Sequence, residues 1–226
     1  MTQLVRFDPR PQAWLAIPVD WPGLGLDMPA AAAAAIVTVR HGVRTDRVTM
    51  SWMNRFNAHI AGLDRGTDDS RFVWLGTDAF PPVLIKVSVF EAQGDAAATL
   101  PVIAGGDGSV AGAVVVPAED GLPDALAVVQ TERRMPGQRK SFRKPELPER
   151  VEVRWAMRLD AETDVLVELV DVPADALDGV LPQALELLRT ARVVDRDEAA
   201  RIDHETAAHT LERWERARLA SLAEQR

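Results

Sequence analysis

Two histidines near the carboxyl-terminal end, His204 and His209, are of a residue type that binds metal directly. A zincin motif places two histidines four positions apart, so that both share one face of a helix. Here the spacing is five positions, which turns the two side chains well apart. The segment is therefore predicted to be a charged helix with exposed histidines, and we expect no metal and no cofactor.

His41 is the other histidine whose position could support chemistry, because it follows a predicted strand and has Arg40 and Arg44 nearby. A histidine beside an anion site can act as a general base. The sequence lacks a G-x-S-x-G elbow, and it contains no cysteine and no tyrosine. The other interpretation is a structural histidine in a turn. Beyond this one candidate, the sequence assigns no catalytic residue.

A strongly basic segment covers Arg133–Lys144, with six basic residues and no acidic one in a chain of net charge −8. Arginine and lysine in such a cluster can bind a phosphate, an anionic ligand, an acidic partner or a nucleic-acid backbone. The alternative is a solvated hairpin tip that keeps a sheet edge soluble. The candidate binding residues are Arg133, Arg134, Arg139, Lys140, Phe142, Arg143 and Lys144.

The acids Asp160, Glu162 and Asp164 alternate as some calcium ligands do. A calcium loop also needs a central glycine and a late bidentate glutamate, and both are missing. Acids are common in hairpin turns, which is the simpler interpretation. The glycine-rich segment 105–108 matches neither phosphate-loop pattern and is predicted to be a turn.

Size and composition predict a globular protein that is mostly one domain of the 226 residues. The acidic balance disfavours non-specific nucleic-acid binding. The absence of cysteine, of an amino-terminal apolar stretch and of any long apolar segment predicts a cytoplasmic protein with no membrane span. Only three lysines are present beside many arginines, which is typical of a GC-rich bacterial genome.

The amino-terminal third is predicted to start with an extended arm rich in proline and tryptophan, over residues 1–29. A short edge strand is expected near residues 13–17, docked through Trp14 and Leu15. The β-branched run at 36–40 predicts a further strand. Apolar residues at helical spacing predict a helix over 46–63.

The middle of the chain is predicted to be β-structure with short connections, which favours antiparallel pairing. Residues 151–159 alternate between apolar and charged side chains, the pattern of a strand with one buried face. Residues 165–170 are expected to return as its hairpin partner. Further strands are predicted over 71–75, 83–90, 111–116 and 126–134.

The carboxyl-terminal part changes to helical periodicity. An apolar stripe between Leu177 and Leu188 predicts a helix that starts near residue 178 or 179, which places Pro182 in its first turn. Residues 191–194 form a candidate last strand. The charged segment 196–226 predicts a helix, docked or partner-binding, that follows a single α+β domain of residues 1–195.

That terminal helix carries a thin apolar stripe of Ile202, Leu211, Trp214 and Leu222. A narrow apolar stripe suits contact with another helix or with a groove. Leu211 and Trp214 are therefore the candidate partner-binding residues of this segment.

The order of elements within residues 13–194 resembles PsbP-like domains. The specific cue is the strand 165–170, the helix 177–188 and then Arg189-Thr-Ala-Arg-Val193. The resemblance implies an antiparallel sheet flanked by helices. It also implies a group that mostly binds partners, including photosystem subunits, a nuclear-transport regulator, bacterial lipoproteins and chaperones of secreted effectors. No catalytic residue is carried over, and the helix after 195 is extra.

The sequence thus predicts a non-enzymatic adaptor, chaperone or structural subunit of a bacterial cytoplasm, with another protein or a second copy as its partner. One alternative is an enzyme or small-ligand binder that holds an anionic ligand at the basic segment, with His41 or an acid from the hairpin as base. A second alternative is nucleic-acid binding through the same segment.

Overall fold

The computed structural model describes residues 4–9, 13–16, 71–74, 83–105, 113–117, 125–132 and 150–224. The strands are β1 (Leu4–Arg6), β2 (Trp14–Ala16), β3 (Arg71–Trp74), β4 (Val83–Glu91), β5 (Ala113–Pro117), β6 (Ala125–Glu132), β7 (Arg150–Arg158), β8 (Thr163–Pro173) and β9 (Arg192–Val194). The helices are α1 (Ala96–Ala104), α2 (Leu177–Leu188) and α3 (Arg196–Glu224), with a 3₁₀ turn (Ala174–Ala176) directly before α2.

Within the described part of the chain, seven strands form one sheet in the order β2-β3-β4-β8-β7-β6-β5. Every neighbouring pair is antiparallel. Residues 159–162 connect β7 directly to β8 as a hairpin, and β8 joins the two halves of the sheet by pairing with β4 as well as with β7. The chain therefore has the predicted α+β fold class.

One face of this sheet forms the main core. Alternate residues of β7 and β8 point to this face, and Val153, Trp155 and Val167 are at most 3% exposed. Helix α2 covers the face through Val180 and Ala184, which are completely buried. The alternation that predicted β7 is thus the alternation between this core and the other face of the sheet.

A β-bulge in β8 keeps its apolar residues on the core side. Val151 pairs with Val172 and Val153 pairs with Leu169, so two steps along β7 match three steps along β8. Without the extra residue, Leu169 and Val172 would point to opposite faces. Both are completely buried in the core because the bulge restores the alternation.

Helix α1 lies on the opposite face of the sheet, where Leu100 and Ala104 pack against Ala156 of β7. The helix ends at Gly105, whose φ of 74° places it in the left-handed region that favours glycine. This helix was not predicted, because its alanine run has no apolar stripe and Pro101 lies inside it.

Strand β1, near the amino terminus, pairs antiparallel with β9, which directly precedes α3, and the two form a second, smaller sheet. Strand β1 was not distinguished within the predicted arm, whereas the predicted edge strand near Trp14 is confirmed as β2. The predicted strands in the middle of the chain and at 191–194 are confirmed with small shifts at their ends. The predicted strand 36–40 and helix 46–63 lie outside the described residues.

The prediction for the start of α2 was wrong. The helix begins at Leu177, so Pro182 is its sixth residue and lies beyond the first turn. Proline there removes one backbone donor within the helix. Burial of Val180, Ala184 and Leu187 against the sheet stabilises the helix in spite of that loss.

Candidate functional site

A cleft of about 370 Å³ lies between the amino-terminal segment and the first half of helix α3. We call it the arm–helix cleft. One wall consists of Phe7–Pro9 and strand β2, and the other wall is formed by α3 from Arg201 to His209. Arg192 of β9 also lines it. The cleft therefore joins parts of the chain that are about 190 residues apart.

An ion pair and a buried alanine attach α3 to the rest of the described chain, and a side-chain cap fixes where the helix begins. Arg6 of β1 forms a bidentate ion pair with Asp203, with Nε–Oδ1 and Nη2–Oδ2 distances of 2.6 Å. Asp195 caps the helix, because its Oδ1 accepts a hydrogen bond of 2.8 Å from the backbone N–H of Glu198. Ala199, one turn further on, is only 1% exposed and fits closely against the domain.

The base of the cleft is apolar and firmly packed. Phe7 and Trp14 are 4% and 3% exposed, so only their edges reach the cleft. Phe7 makes an edge-to-face contact with Phe72 of β3, with ring centroids 5.6 Å apart. This packing gives the cleft a fixed apolar base.

The rim of the cleft carries charges of both signs. Arg192 donates to Glu198, and Arg201 Nη1 donates to Glu205 Oε1 at 3.0 Å. Arg201 Nη2 also lies 4.0 Å from Glu198. Each guanidinium has five N–H donors in all, so these contacts orient it and leave further donors. Together with Asp8, the lining residues supply two guanidinium groups and two carboxylates.

Asp8 is positioned through Thr190, which follows helix α2. The backbone N–H of Asp8 donates to Thr190 Oγ1 at 2.9 Å, and the Thr190 hydroxyl donates to the Leu187 carbonyl at 2.7 Å. The arm wall is thus tied to the end of α2, and the exposed carboxyl group of Asp8 stands at the rim.

The two histidines of α3 have different surroundings. His209 lines the arm–helix cleft, whereas His204 is exposed and is not part of its lining. Five residues correspond to about 500° of helical rotation, so the two positions are roughly 140° apart. Among the described residues, no three His, Asp or Glu side chains form a cluster that could hold a metal ion.

A second group of charges lies on the sheet face opposite the main core. Arg154 of β7 contacts Glu168 of β8 at 3.3 Å and Glu152 at 2.9 Å. Lys86 of β4 is paired in register with Glu168. Burial raises the pKa of Glu168; Arg154 and Lys86 act to lower it, and Glu152 acts to raise it further. From sequence, Glu152 and Arg154 were recognised only as the solvent-facing residues of a strand.

The alternating acids 160–164 do not converge on a common point. Asp164 is completely buried, and both of its carboxylate oxygens accept hydrogen bonds from Arg158, at 2.8 and 2.9 Å. Asp160 Oδ1 accepts the backbone N–H of Glu162 at 2.9 Å, which is a turn contact. The carboxylate of Asp164 is therefore committed to an ion pair within the fold.

Arg158 also anchors the segment that leads into α1. Its Nη1 donates to the carbonyl oxygen of Gly94 at 2.7 Å. Gly94 has a φ of 59°, a conformation that glycine adopts readily. The pair Arg158–Asp164 thus has a structural role between the β7–β8 hairpin and α1.

Most of the binding residues predicted from sequence fall on parts of the chain that the structure does not describe. His41 and the basic residues Arg133, Arg134, Arg139, Lys140, Phe142, Arg143 and Lys144 lie outside the described residues. Strands β6 and β7, which flank the basic segment, pair with each other so that Glu132 faces Arg150. The segment therefore follows one strand of an antiparallel pair and precedes the other, as predicted.

Leu211 and Trp214 lie on α3 beyond the cleft. The predicted single stripe with Ile202 does not exist, because Leu211 comes nine residues after Ile202. That distance equals about two and a half helical turns, which places the two positions on opposite sides of the helix. Position 222 falls near the side of Leu211, and Trp214 is about a third of a turn from Ile202.

No family model, curated protein or solved structure matches the chain. Among the helices that the structure describes, none is both long enough and apolar enough to cross a membrane.

Proposed function

We propose that the protein is a non-enzymatic binding or assembly protein of a bacterial cytoplasm, which meets its partner through the second half of α3. The observation that carries this proposal is the change in exposure along the helix. Ala199 is buried and Ile202 is half-buried, but beyond His209 every described side chain of α3 is exposed. Leu219, an apolar residue, is 60% exposed.

The length of α3 supports the same function. Its 29 residues correspond to roughly 43 Å of helix, and the ion pair and buried residues that attach it lie within its first eight residues. A helix attached at one end can present its other end to a partner. The contacts that attach the first eight residues of α3 would then be unchanged when a partner binds the other end.

The candidate contact residues are Leu211 and Trp214, with position 222 near the same side. These positions do not share the side of Ile202, so a partner could reach them while the first half remains docked. Tryptophan is enriched among residues that dominate interface energies, because one side chain buries a large area. The chain also carries charges of both signs in separate regions, which suits recognition of a partner.

The PsbP-like resemblance supports a binding role rather than a reaction. The resemblance implies an antiparallel sheet flanked by helices, and members of that group mostly bind partners. The basic segment 133–144 would form a second recognition surface for an acidic partner. The acidic remainder of the chain disfavours nucleic acid, whose negative charge is denser than that of an acidic protein.

The experiment compares two double variants with the full chain, each carrying an affinity tag and expressed in the source cells. Leu211→Ser/Trp214→Ser removes the proposed contact, and Glu212→Gln/Arg216→Gln removes an exposed ion pair of 2.7 Å from the same helix as a matched control. Co-purified protein is quantified by mass spectrometry, and light scattering after gel filtration measures self-association.

We expect at least tenfold less partner, or loss of the dimer mass, only for the Leu211→Ser/Trp214→Ser variant. Circular dichroism and thermal unfolding check that both variants remain folded. Equal recovery from all three proteins, with no change in mass, would refute a partner site on the second half of α3.

A further inference from the structure

The arm–helix cleft has the form of a small-ligand site. Its base is buried, through Phe7 and Trp14, while the charged residues of its rim are exposed. Ligand pockets typically combine an apolar lining with a few polar groups and have volumes of roughly 300–1,000 Å³. A volume of about 370 Å³ is at the lower end, so the ligand must be small.

The charges on the rim restrict the ligand further. Among the lining residues, Arg192 and Arg201 supply positive charge and Asp8 and Glu205 supply negative charge. Glu198 adds a further carboxylate in contact with both guanidinium groups. A dianion such as phosphate would meet two carboxylates as well as two guanidinium groups, and like charges in contact are unfavourable. The same holds for a simple cation, with the signs reversed. A zwitterionic ligand can pair its negative group with a guanidinium group and its positive group with a carboxylate.

The guanidinium groups are already oriented before a ligand arrives. Glu198 contacts both Arg192 and Arg201, and Glu205 holds Arg201 from the next turn of α3. Arginine side chains that are held in this way lose less conformational entropy on binding. The Arg192 and Arg201 side chains are 51% and 58% exposed, so they are accessible to a ligand.

We propose that the arm–helix cleft binds a small zwitterion with an apolar body, of the class of free α-amino acids with an aliphatic or aromatic side chain. The ligand carboxylate contacts Arg192 and Arg201, with Thr206 and His209 as further hydrogen-bonding groups. The ligand ammonium group contacts Asp8 or Glu205. The apolar side chain lies against Ile202 and the edge of Trp14.

This site does not depend on the proposed partner function. It uses the first half of α3, whereas the partner surface uses positions from 211 onward. Failure of one proposal therefore leaves the other unaffected, and the two tests use different variants and different measurements.

The test is isothermal titration calorimetry of the full chain with four probes: L-phenylalanine, N-acetyl-L-phenylalanine, L-phenylalaninamide and inorganic phosphate. L-Leucine is the aliphatic counterpart of the first probe. For a ligand of this size we expect a Kd on the order of 1 mM or tighter. Blocking the ammonium or the carboxylate group should weaken binding at least tenfold, and phosphate should bind no better than either blocked compound.

A matched pair of variants locates the site. Arg201→Gln/Glu205→Gln removes the ion pair of 3.0 Å on the rim, and Glu212→Gln/Arg216→Gln removes an equivalent exposed pair of the same helix outside the cleft. The first variant should weaken L-phenylalanine binding at least fivefold, and the second should leave it unchanged. Thermal unfolding of both variants confirms that each is folded.

Three results would overturn the proposal. Absence of heat with both amino acids at 10 mM, about ten times the expected Kd, would mean that the cleft binds no such ligand. Equal binding of N-acetyl-L-phenylalanine would indicate a site for a carboxylate alone, as at the end of a peptide. Unchanged binding in Arg201→Gln/Glu205→Gln, or an equal loss in both variants, would show that the ligand is not bound in the cleft.

Discussion

Arg6, in the first strand, and Asp203, in the last helix, are joined by two parallel hydrogen bonds of 2.6 Å. The Arg6 side chain is 12% exposed and that of Asp203 is 54% exposed. Arg6 Nη1 also donates to the Val5 carbonyl at 2.9 Å, which fixes its orientation. This pair, together with the pairing of β1 with β9, ties the amino-terminal segment to β9 and to the first half of α3, and these contacts frame the arm–helix cleft.

The first prediction concerns this ion pair. Arg6→Gln and Asp203→Asn should each lower the free energy of unfolding by about 1 kcal/mol, because a partly exposed bidentate pair is worth little more than that. The double variant should cost less than the sum of the single variants. Urea unfolding of the four proteins measures the coupling, and strictly additive losses would show that the two residues do not stabilise each other.

A larger effect is expected at Arg158, whose partner Asp164 is completely buried. Arg158→Met leaves a buried carboxylate without its main partner, so the free energy of unfolding should fall by about 3 kcal/mol or more. Arg201→Met is the matched control on an exposed pair and should cost about 0.5 kcal/mol at most. Chemical denaturation compares the two, and similar losses would contradict the structural role of Arg158.

The pKa of Glu168 predicts a pH dependence. Burial raises this pKa in the folded protein, so the folded state binds the proton more tightly than the unfolded state does. Ionised Glu168 therefore costs stability at neutral pH, and that cost disappears as the pH falls through its folded pKa. Wild type should gain stability relative to Glu168→Gln between pH 7 and pH 4.5.

Urea unfolding at several pH values measures the difference in the free energy of unfolding between wild type and Glu168→Gln. In that difference the contributions of all other groups cancel to first order. The raised pKa would be contradicted if this difference did not change with pH, or if Glu168→Gln became more stable relative to wild type as the pH falls.

Asp195 provides a test of how α3 begins. Its side chain caps the helix through the backbone N–H of Glu198. Asp195→Ala should cost about 1 kcal/mol in the free energy of unfolding, while Asp195→Asn should retain most of the cap. Hydrogen exchange of the backbone amides at 197–202 reports the fraying directly. Equal protection in Asp195→Ala and wild type would mean that packing alone fixes the start of the helix.

The strands of the central sheet could be predicted because their pattern is local. Val151, Val153 and Trp155 alternate with charged residues, and this alternation follows directly from one buried face. Helix α1 could not be predicted in this way, since three alanines and an internal proline give no periodic signal. Its position depends on Ala156, a small residue of a distant strand that leaves room for Leu100.

The arm–helix cleft was beyond sequence reasoning for a related reason. Phe7 and Arg201 come together only because β1 pairs with β9, and a three-residue strand has no detectable signal of its partner. The charged helix after residue 195 was predicted, but its apolar positions were treated as one stripe. Counting helical turns from Ile202 to Leu211 separates a docked side from the side proposed for a partner.

Deletion of residues 211–226 tests the central claim most directly. The cut leaves Ala199, Ile202 and Asp203 in place, so the truncated chain should unfold at the same temperature as the full chain, within about 2 °C. It should also lose the partner, or the dimer mass, that the full chain shows. A truncated protein that retains its partner, or one that unfolds many degrees lower, would contradict the account, because the second half of α3 would then not be a binding element or would belong to the core.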